Sequence, residues 1–142
     1  MCNFAARNDT KSMKKQRFTA QIVLDNGDTL RASLEVVFFR EHPYTIAYCP
    51  ALDLSAAAVN QKAAKEEFAQ IFSEYITDCM QNDTLRDDLL AHGWQLHNNA
   101  YQAPSMTQML IGNHALQDIV DNKDYHKQVV SIPPISTVGA FA

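Results

Sequence analysis

Glycine is scarce in this chain, and its scarcity excludes one class of function. Only four glycines occur among 142 residues: Gly27, Gly93, Gly112 and Gly139. A loop that cradles phosphate groups needs several closely spaced glycines, because only glycine lets the backbone approach the phosphates. None of the four lies in such a loop. The sequence therefore excludes the glycine-rich nucleotide-binding signatures.

Metal ligands are also sparse. The three cysteines are Cys2, Cys49 and Cys79, which are far apart and form no Cys-x-x-Cys pair. The five histidines are scattered and include no pair at ligand spacing. A structural zinc site needs four such ligands at short spacings. We therefore predict no metal and no cofactor. We also predict that Cys49 and Cys79 are small core residues in a reducing compartment.

The chain lacks long apolar runs and an excess of positive charge. No run approaches the roughly 20 apolar residues that span a bilayer, and the first residues contain no stretch of signal-peptide type. We therefore predict a cytoplasmic protein without membrane association. The net charge is -4 and the pI about 5.6. The basic cluster from Lys11 to Arg17 precedes the first predicted strand. Because a nucleic-acid-binding surface usually carries a basic stripe, we predict weak or no direct DNA binding.

Carboxylates do not converge as a two-metal nuclease would require. Asp25 and Asp28 belong to a predicted hairpin turn. Glu35 alternates onto the strand face opposite the apolar residues, and Asp87 and Asp88 fall in the first turn of a predicted helix. We therefore predict a protein without catalytic residues. A degenerate metal-dependent nuclease is kept as an alternative.

Alternating apolar residues predict an antiparallel meander in the first third of the chain. With 46% hydrophobic and 20% charged residues, the composition is that of a globular domain with a core. Alternation runs over residues 18–24, 29–39 and 44–49. Asn26-Gly27 supplies the positive φ angles of a hairpin turn between the first two strands. Pro50 ends the third strand because it cannot donate to a sheet ladder.

A long amphipathic helix follows the meander. Asn60 is a suitable N-cap. Apolar residues then recur at helical spacing from Ala64 to Cys79, including Phe68 and Phe72. This stripe predicts a helix that lies across one face of the sheet.

Weaker signals follow Trp94. Thr84-x-x-Asp87 and Ser105-x-x-Gln108 resemble capping boxes that open short helices. Another short helix is predicted around Leu116, and residues 129–132 predict a final strand that ends at the Pro133-Pro134 pair. We therefore predict an α+β fold with a three- to four-stranded antiparallel sheet, one long helix packed on it and short C-terminal helices. The predicted divisions are a leader at 1–16, a core at 17–97 and a helical tail with a final strand at 98–142.

The stretch "YTIAYCPALDLSAAAVNQKAAKEEFAQIFSEYI" resembles the HicB-like antitoxin family. In that family a strand reading aromatic-x-Ala-x-Cys-Pro-x-Leu leads through a loop into a helix. Tyr48-Cys49-Pro50-Ala51-Leu52 matches the strand end, Ala64 and Phe68 match the helix, and "NDTLRDDLLAHGW" is similar to the family's extension after the helix.

This chain departs from the family pattern in the loop. Ala58 stands at the usual loop glycine, and Asn60 at the usual threonine cap. Gln61 and Lys62 replace the two glutamates that follow the cap. Asn60 preserves the helix start, whereas Ala58 makes a positive φ costly at that position. We therefore expect a loop of different shape.

The resemblance implies a partial RNase H-like fold and an antitoxin that binds and neutralises a small mRNA-cleaving toxin of the HicA type. It implies that the motif contacts the partner through Tyr48, Cys49, Pro50, Leu52 and Asp53, although the same motif can serve the fold alone. The C-terminal DNA-binding domain of many family members is not evident here.

Two further expectations concern assembly. We expect a homo-oligomer, because a small open sheet leaves edge strands that natural proteins seldom leave unpaired. The alternative to the antitoxin function is an orphan regulator or scaffold of the same fold, which forms oligomers and has no toxin.

Overall fold

The computed structural model describes residues 20–25, 29–98 and 100–136. The basic cluster, Cys2 and the turn residues 26–28 fall outside these ranges. The described residues form an α+β fold of one antiparallel sheet and four helices. The strands are β1 Ala20–Asp25, β2 Thr29–Glu41, β3 Tyr44–Cys49, β4 Leu54–Ala58, β5 Gln95–His97, β6 Ala100–Gln102 and β7 Tyr125–Ser136. The helices are α1 Gln61–Asn82, α2 Leu85–Ala91, α3 Met106–Gly112 and α4 His114–Asn122.

Strand β2 organises the sheet. Strand β7 pairs with it from Thr29 to Phe39, so β7 occupies one edge of β2 along almost its whole length. Residues 29–34 of β2 also pair with β1, and residues 37–41 pair with β3. Because a strand has two edges, β1 and β3 must share the edge opposite β7. Glu35 and Val36 fall between the two partner strands.

The sheet is larger than the sequence predicted. It has seven strands, not three or four, and follows the order β4-β3-β2-β1-β6-β5 with β7 beside β2. The predicted division at residue 97 cuts through this sheet, since β6 pairs with β1 and β7 with β2. Residues 100–136 therefore contribute two strands to the same sheet and two helices that pack against it.

Strand β4 was missed because its residues were interpreted as a loop. Leu54–Ala58 pairs antiparallel with the whole of β3. The expectation that Ala58 would sit in a loop of altered shape is wrong, because Ala58 pairs with Thr45 in this ladder. Three of the five residues are alanine, which is depleted in strands and gave no local signal.

Strand β7 is also longer than the predicted residues 129–132. Pro133-Pro134 does not end the strand but coincides with an irregularity, because Ile132 pairs with Ala32 and Ile135 pairs with Leu30. Proline lacks the N–H that a ladder requires, so a bulge is where a strand tolerates it.

The first face of the sheet, defined by Leu34, Val36 and Phe38 of β2, packs under α1. The buried stripe of α1 is the predicted one and consists of Ala64, Phe68, Phe72, Ile76 and Cys79. These side chains join β2, β3, Leu89 and Trp94 in one apolar cluster. Burying each phenylalanine contributes about 1.5–3 kcal/mol.

The second face, defined by Glu35, Val37 and Phe39, is covered in part by α3 and α4. Val37 and Tyr48 pack against Leu116 and Ile119 of α4 in a smaller apolar cluster. No residue of α3 is buried. The sheet thus has helices on both faces, and Leu116 of α4 is one of the residues that cover the second face.

Helix caps were predicted with mixed success. The Asn60 side chain accepts a hydrogen bond from the Ala63 amide, and Ser105 with Gln108 forms a complete capping box. Both caps are therefore confirmed. The box predicted at Thr84 is wrong, since its side chain makes no capping hydrogen bond.

Candidate functional site

The candidate site is built around the motif loop, residues 50–53, which joins β3 to β4. The Leu52 amide donates to the Cys49 carbonyl across 3.3 Å and closes the turn. Asp53 has a φ of 56° and so lies in the left-handed region. Aspartate tolerates that region better than most residues other than glycine. This backbone conformation reverses the chain and starts β4.

Most of the predicted contact residues are inside the protein. Tyr48, Cys49, Pro50 and Leu52 are buried, and Asp53 is exposed. Four side chains of the motif therefore pack within the fold of this chain. A direct contact with a partner through the motif is open to Asp53 alone in this conformation.

A hydrogen-bond network links the motif loop to α4. The Tyr48 hydroxyl donates to Asp53 Oδ1 at 2.9 Å and accepts from Asn113 Nδ2 at 3.0 Å. Asn113 also caps α4, because its Oδ1 accepts from the Leu116 amide at 2.9 Å. Burial, together with Asp53, raises the pKa of Tyr48 to about 12, so the hydroxyl stays protonated. The network therefore fixes the Asp53 carboxylate from inside the fold.

Trp94 anchors the same loop from the other side. Its Nε1 donates to the Ala51 carbonyl at 2.7 Å, and the indole is buried in the main core. This bond joins residues 43 positions apart. The loop is therefore held at Ala51 by Trp94, which is distant in sequence, and at Asp53 by Tyr48, which Asn113 in turn holds.

A cleft of about 630 Å³ opens beside Pro50. Its polar lining consists of His92, Gln95, Gln102, Gln108 and Asn113. The remaining lining residues are small or apolar, and the described lining contains no carboxylate, hydroxyl or thiol side chain. The cleft therefore offers the side-chain amides of its glutamines and asparagine and the imidazole of His92 for hydrogen bonding.

His92 is supported by Asp88 and Tyr75. His92 Nδ1 lies 2.8 Å from the Asp88 carbonyl oxygen, and the Tyr75 hydroxyl donates to Asp88 Oδ2. Burial and the bond to Asp88 raise the pKa of Tyr75. Because a carbonyl oxygen can only accept, Nδ1 carries the hydrogen and donates a hydrogen bond to it. In the neutral form of His92, Nε2 is therefore the nitrogen that carries the lone pair.

Glu35 is the one buried acid among the described residues of the second face. Its residue is 9% exposed, and Oε1 has no hydrogen-bond partner among the described residues. Lys127 Nζ lies 3.7 Å from Oε2, which is too long for a hydrogen bond. Burial raises the pKa of Glu35 more than the attraction of Lys127 lowers it.

Replacing Glu35 with glutamine is expected to stabilise the protein at pH 7 by about 1 kcal/mol, because the neutral amide removes the cost of burying a charged carboxylate, which exceeds that of burying a neutral polar group. A raised native pKa means that the folded state binds the proton first. Wild-type stability therefore rises as pH falls through the native pKa, and the gap to Glu35→Gln closes. Urea unfolding of both proteins, from pH 7 down through the native pKa of Glu35, measures the difference in their free energies of unfolding.

The control for this change is Glu66→Gln on the exposed side of α1. It should leave the free energy of unfolding unchanged at each pH. A gap between Glu35→Gln and wild type that stays constant or widens as pH falls would contradict the assignment.

Other chemistry is limited in the part of the chain that the structure describes. No three His, Cys, Asp or Glu side chains come together as a metal site there. Both described cysteines are buried as predicted, and burial raises the pKa of Cys49 to about 12. Among the described helices, none has the length and apolar character to cross a membrane.

Comparison with known proteins gave no match. No family model fits the chain, and no curated protein or solved structure is significantly similar to it. The resemblance to the HicB-like family therefore remains a prediction from the motif.

Sequence reasoning missed Asn113, Trp94 and the strand β4 as parts of the site. Asn113 carried a weak signal, because it precedes the apolar residues of a short helix as an N-cap does. Trp94 is the only tryptophan in the chain, but nothing local tied it to Ala51.

Proposed function

We propose that this chain is an antitoxin-type protein that binds and neutralises a small, basic, mRNA-cleaving toxin of the HicA type. The proposal starts from the Tyr48-Cys49-Pro50-x-Leu52 resemblance. It is supported by the antiparallel strands β1 to β3 and the amphipathic helix α1, which occur in the order that the resemblance implies, although β4 stands where the resemblance implies a loop.

Asp53 is the single observation that carries a contact role for the motif. It is exposed, and its carboxylate is bound by the buried hydroxyl of Tyr48. Asp53 is thus an oriented negative charge at the surface, which suits a lysine or arginine of a partner.

The overall charge supports the same kind of partner. The chain carries a net charge of -4, and a basic toxin would be attracted to it over several ångströms. Charge complementarity raises the association rate more than the affinity, and salt screens it. Binding is therefore expected to weaken as ionic strength rises.

The test first asks whether a small basic protein with a single histidine is encoded beside this chain, and then uses that protein with the histidine replaced so that it can be purified. Wild type should bind it and, with the active form, should suppress cleavage of RNA. Asp53→Asn keeps a residue that tolerates the left-handed region but removes the charge. We expect it to weaken binding roughly tenfold.

Asp83→Asn is the matched control. Asp83 is also exposed, has a φ of 55° and loses the same charge on substitution. Its variant should bind like wild type, because Asp83 caps the C-terminus of α1 and has no described hydrogen bond to the motif loop. An equal loss of affinity in Asp53→Asn and Asp83→Asn would mean that the net charge of the chain, not a contact at Asp53, determines binding. Absence of binding by wild type would favour the orphan scaffold, and RNA cleavage by this chain alone would favour the nuclease alternative.

A further inference from the structure

Among the described strands, β4 leaves its outer edge unpaired. One edge of Leu54–Ala58 pairs with β3, and no described strand pairs with the other. The strand reads Leu-Ser-Ala-Ala-Ala and contains no charge and no proline. Its ladder with β3 runs without a bulge. The N–H and C=O groups of alternate residues therefore point outward along a regular edge.

The other edge strands carry devices that discourage pairing. Strand β5 has only three residues. Strand β7 carries Lys127 and the irregularity at Pro133-Pro134. Short strands, lysines, prolines and bulges are the means by which proteins protect sheet edges. Strand β4 has none of these protective features, so it is the described edge strand best suited to pair with another strand.

We propose that β4 pairs antiparallel with β4 of a second copy of this chain across a two-fold axis. Identical copies form closed dimers by burying the same patch on both sides. The register that pairs all five residues is centred on Ala56, with Ser55 of one copy opposite Ala57 of the other. Any other register shortens the ladder. This inference does not depend on a toxin and goes beyond the proposed function.

The side chains of β4 fit this arrangement. Ser55 and Ala57 are exposed and small, whereas Ala56 is buried on the opposite face. No charged residue meets a like charge within the five pairs. The two copies of Asp53 lie at opposite ends of the ladder, about 20 Å apart at the usual rise per residue. Their repulsion is therefore screened over more than a Debye length.

An exposed apolar residue extends the same edge. Val59 follows β4 directly and is 69% exposed. It is a hydrophobic side chain at the end of the proposed ladder. The interface is nevertheless short compared with standard interfaces, so we expect a dissociation constant in the micromolar range, on the order of 10 µM.

Sedimentation of the full chain over a concentration series tests the proposal. Wild type should shift from one chain of 16.0 kDa to a dimer as concentration rises. Ala57→Lys places a charge in the pairing edge and should weaken the dimer at least tenfold. Ser131→Lys adds the same charge to an exposed position of β7 and should leave the dimer unchanged.

Amide hydrogen exchange of wild type gives an independent readout that needs no variant. The β4 amides that point to the outer edge are expected to exchange more slowly as dimer accumulates, with no change in β7. A chain that stays monomeric up to about 100 µM would overturn the proposal, since that concentration is roughly ten times the expected dissociation constant of the dimer. So would a dimer that Ser131→Lys disrupts and Ala57→Lys does not.

Discussion

The Phe72→Ala variant is expected to be largely unfolded near body temperature. Phe72 is fully buried on the stripe of α1 that faces the sheet, and its ring lies 6.3 Å from that of Tyr75. Truncating a buried phenylalanine costs about 3–5 kcal/mol, because the transfer free energy is lost and a cavity remains. Small domains have a total stability of about 5–15 kcal/mol. Thermal unfolding followed by circular dichroism measures the loss.

Glu66→Ala is the control on the same helix. Glu66 is exposed on the polar side, so its replacement should change the midpoint little. Similar midpoints for Phe72→Ala and Glu66→Ala would mean that α1 is rotated about its axis from the position described.

The second large effect is expected at Trp94. Trp94→Ala should also cost about 3–5 kcal/mol. Trp94→Phe retains most of the apolar volume but leaves the buried Ala51 carbonyl without its donor, which costs about 1–3 kcal/mol. Urea unfolding of the three proteins separates the packing contribution from the hydrogen bond.

Leu96→Ala is the matched control, because Leu96 lies two residues away on β5 and is exposed. It should unfold at nearly the wild-type urea concentration. If Trp94→Phe were as stable as wild type, the bond to Ala51 would not hold the motif loop. Loss of toxin binding in Trp94→Phe without loss of folding would indicate that the loop must be held in place for the contact.

The proposed contact and the proposed dimer lie next to each other in the chain. Asp53 ends the motif loop, and β4 begins at the following residue. The two tests remain separate, because Asp53→Asn leaves the β4 edge intact and Ala57→Lys leaves the Asp53 network intact. A toxin that binds only the dimer would lose affinity in both variants.

The sequence by itself determined the elements that depend on near neighbours. The alternation in residues 44–49 predicted β3, and the periodic stripe from Ala64 to Cys79 predicted the buried face of α1. Asn60 and Ser105 predicted two helix starts that are capped as expected. These signals are readable because a strand repeats every two residues, a helix repeats every 3.6, and a cap needs only three residues.

The tertiary structure alone decided the extent of the sheet and the composition of the site. Ala57 and its neighbours form a strand because β3 presents its edge to them, although alanine has little strand propensity. Strand β7 joins β2 from about 100 residues away, which buries Glu35 beside Lys127. Asn113 reaches Tyr48 over 65 residues of sequence. Such contacts join segments that are far apart in the sequence, and the pattern of neighbouring residues in either segment does not show which distant segment it will contact.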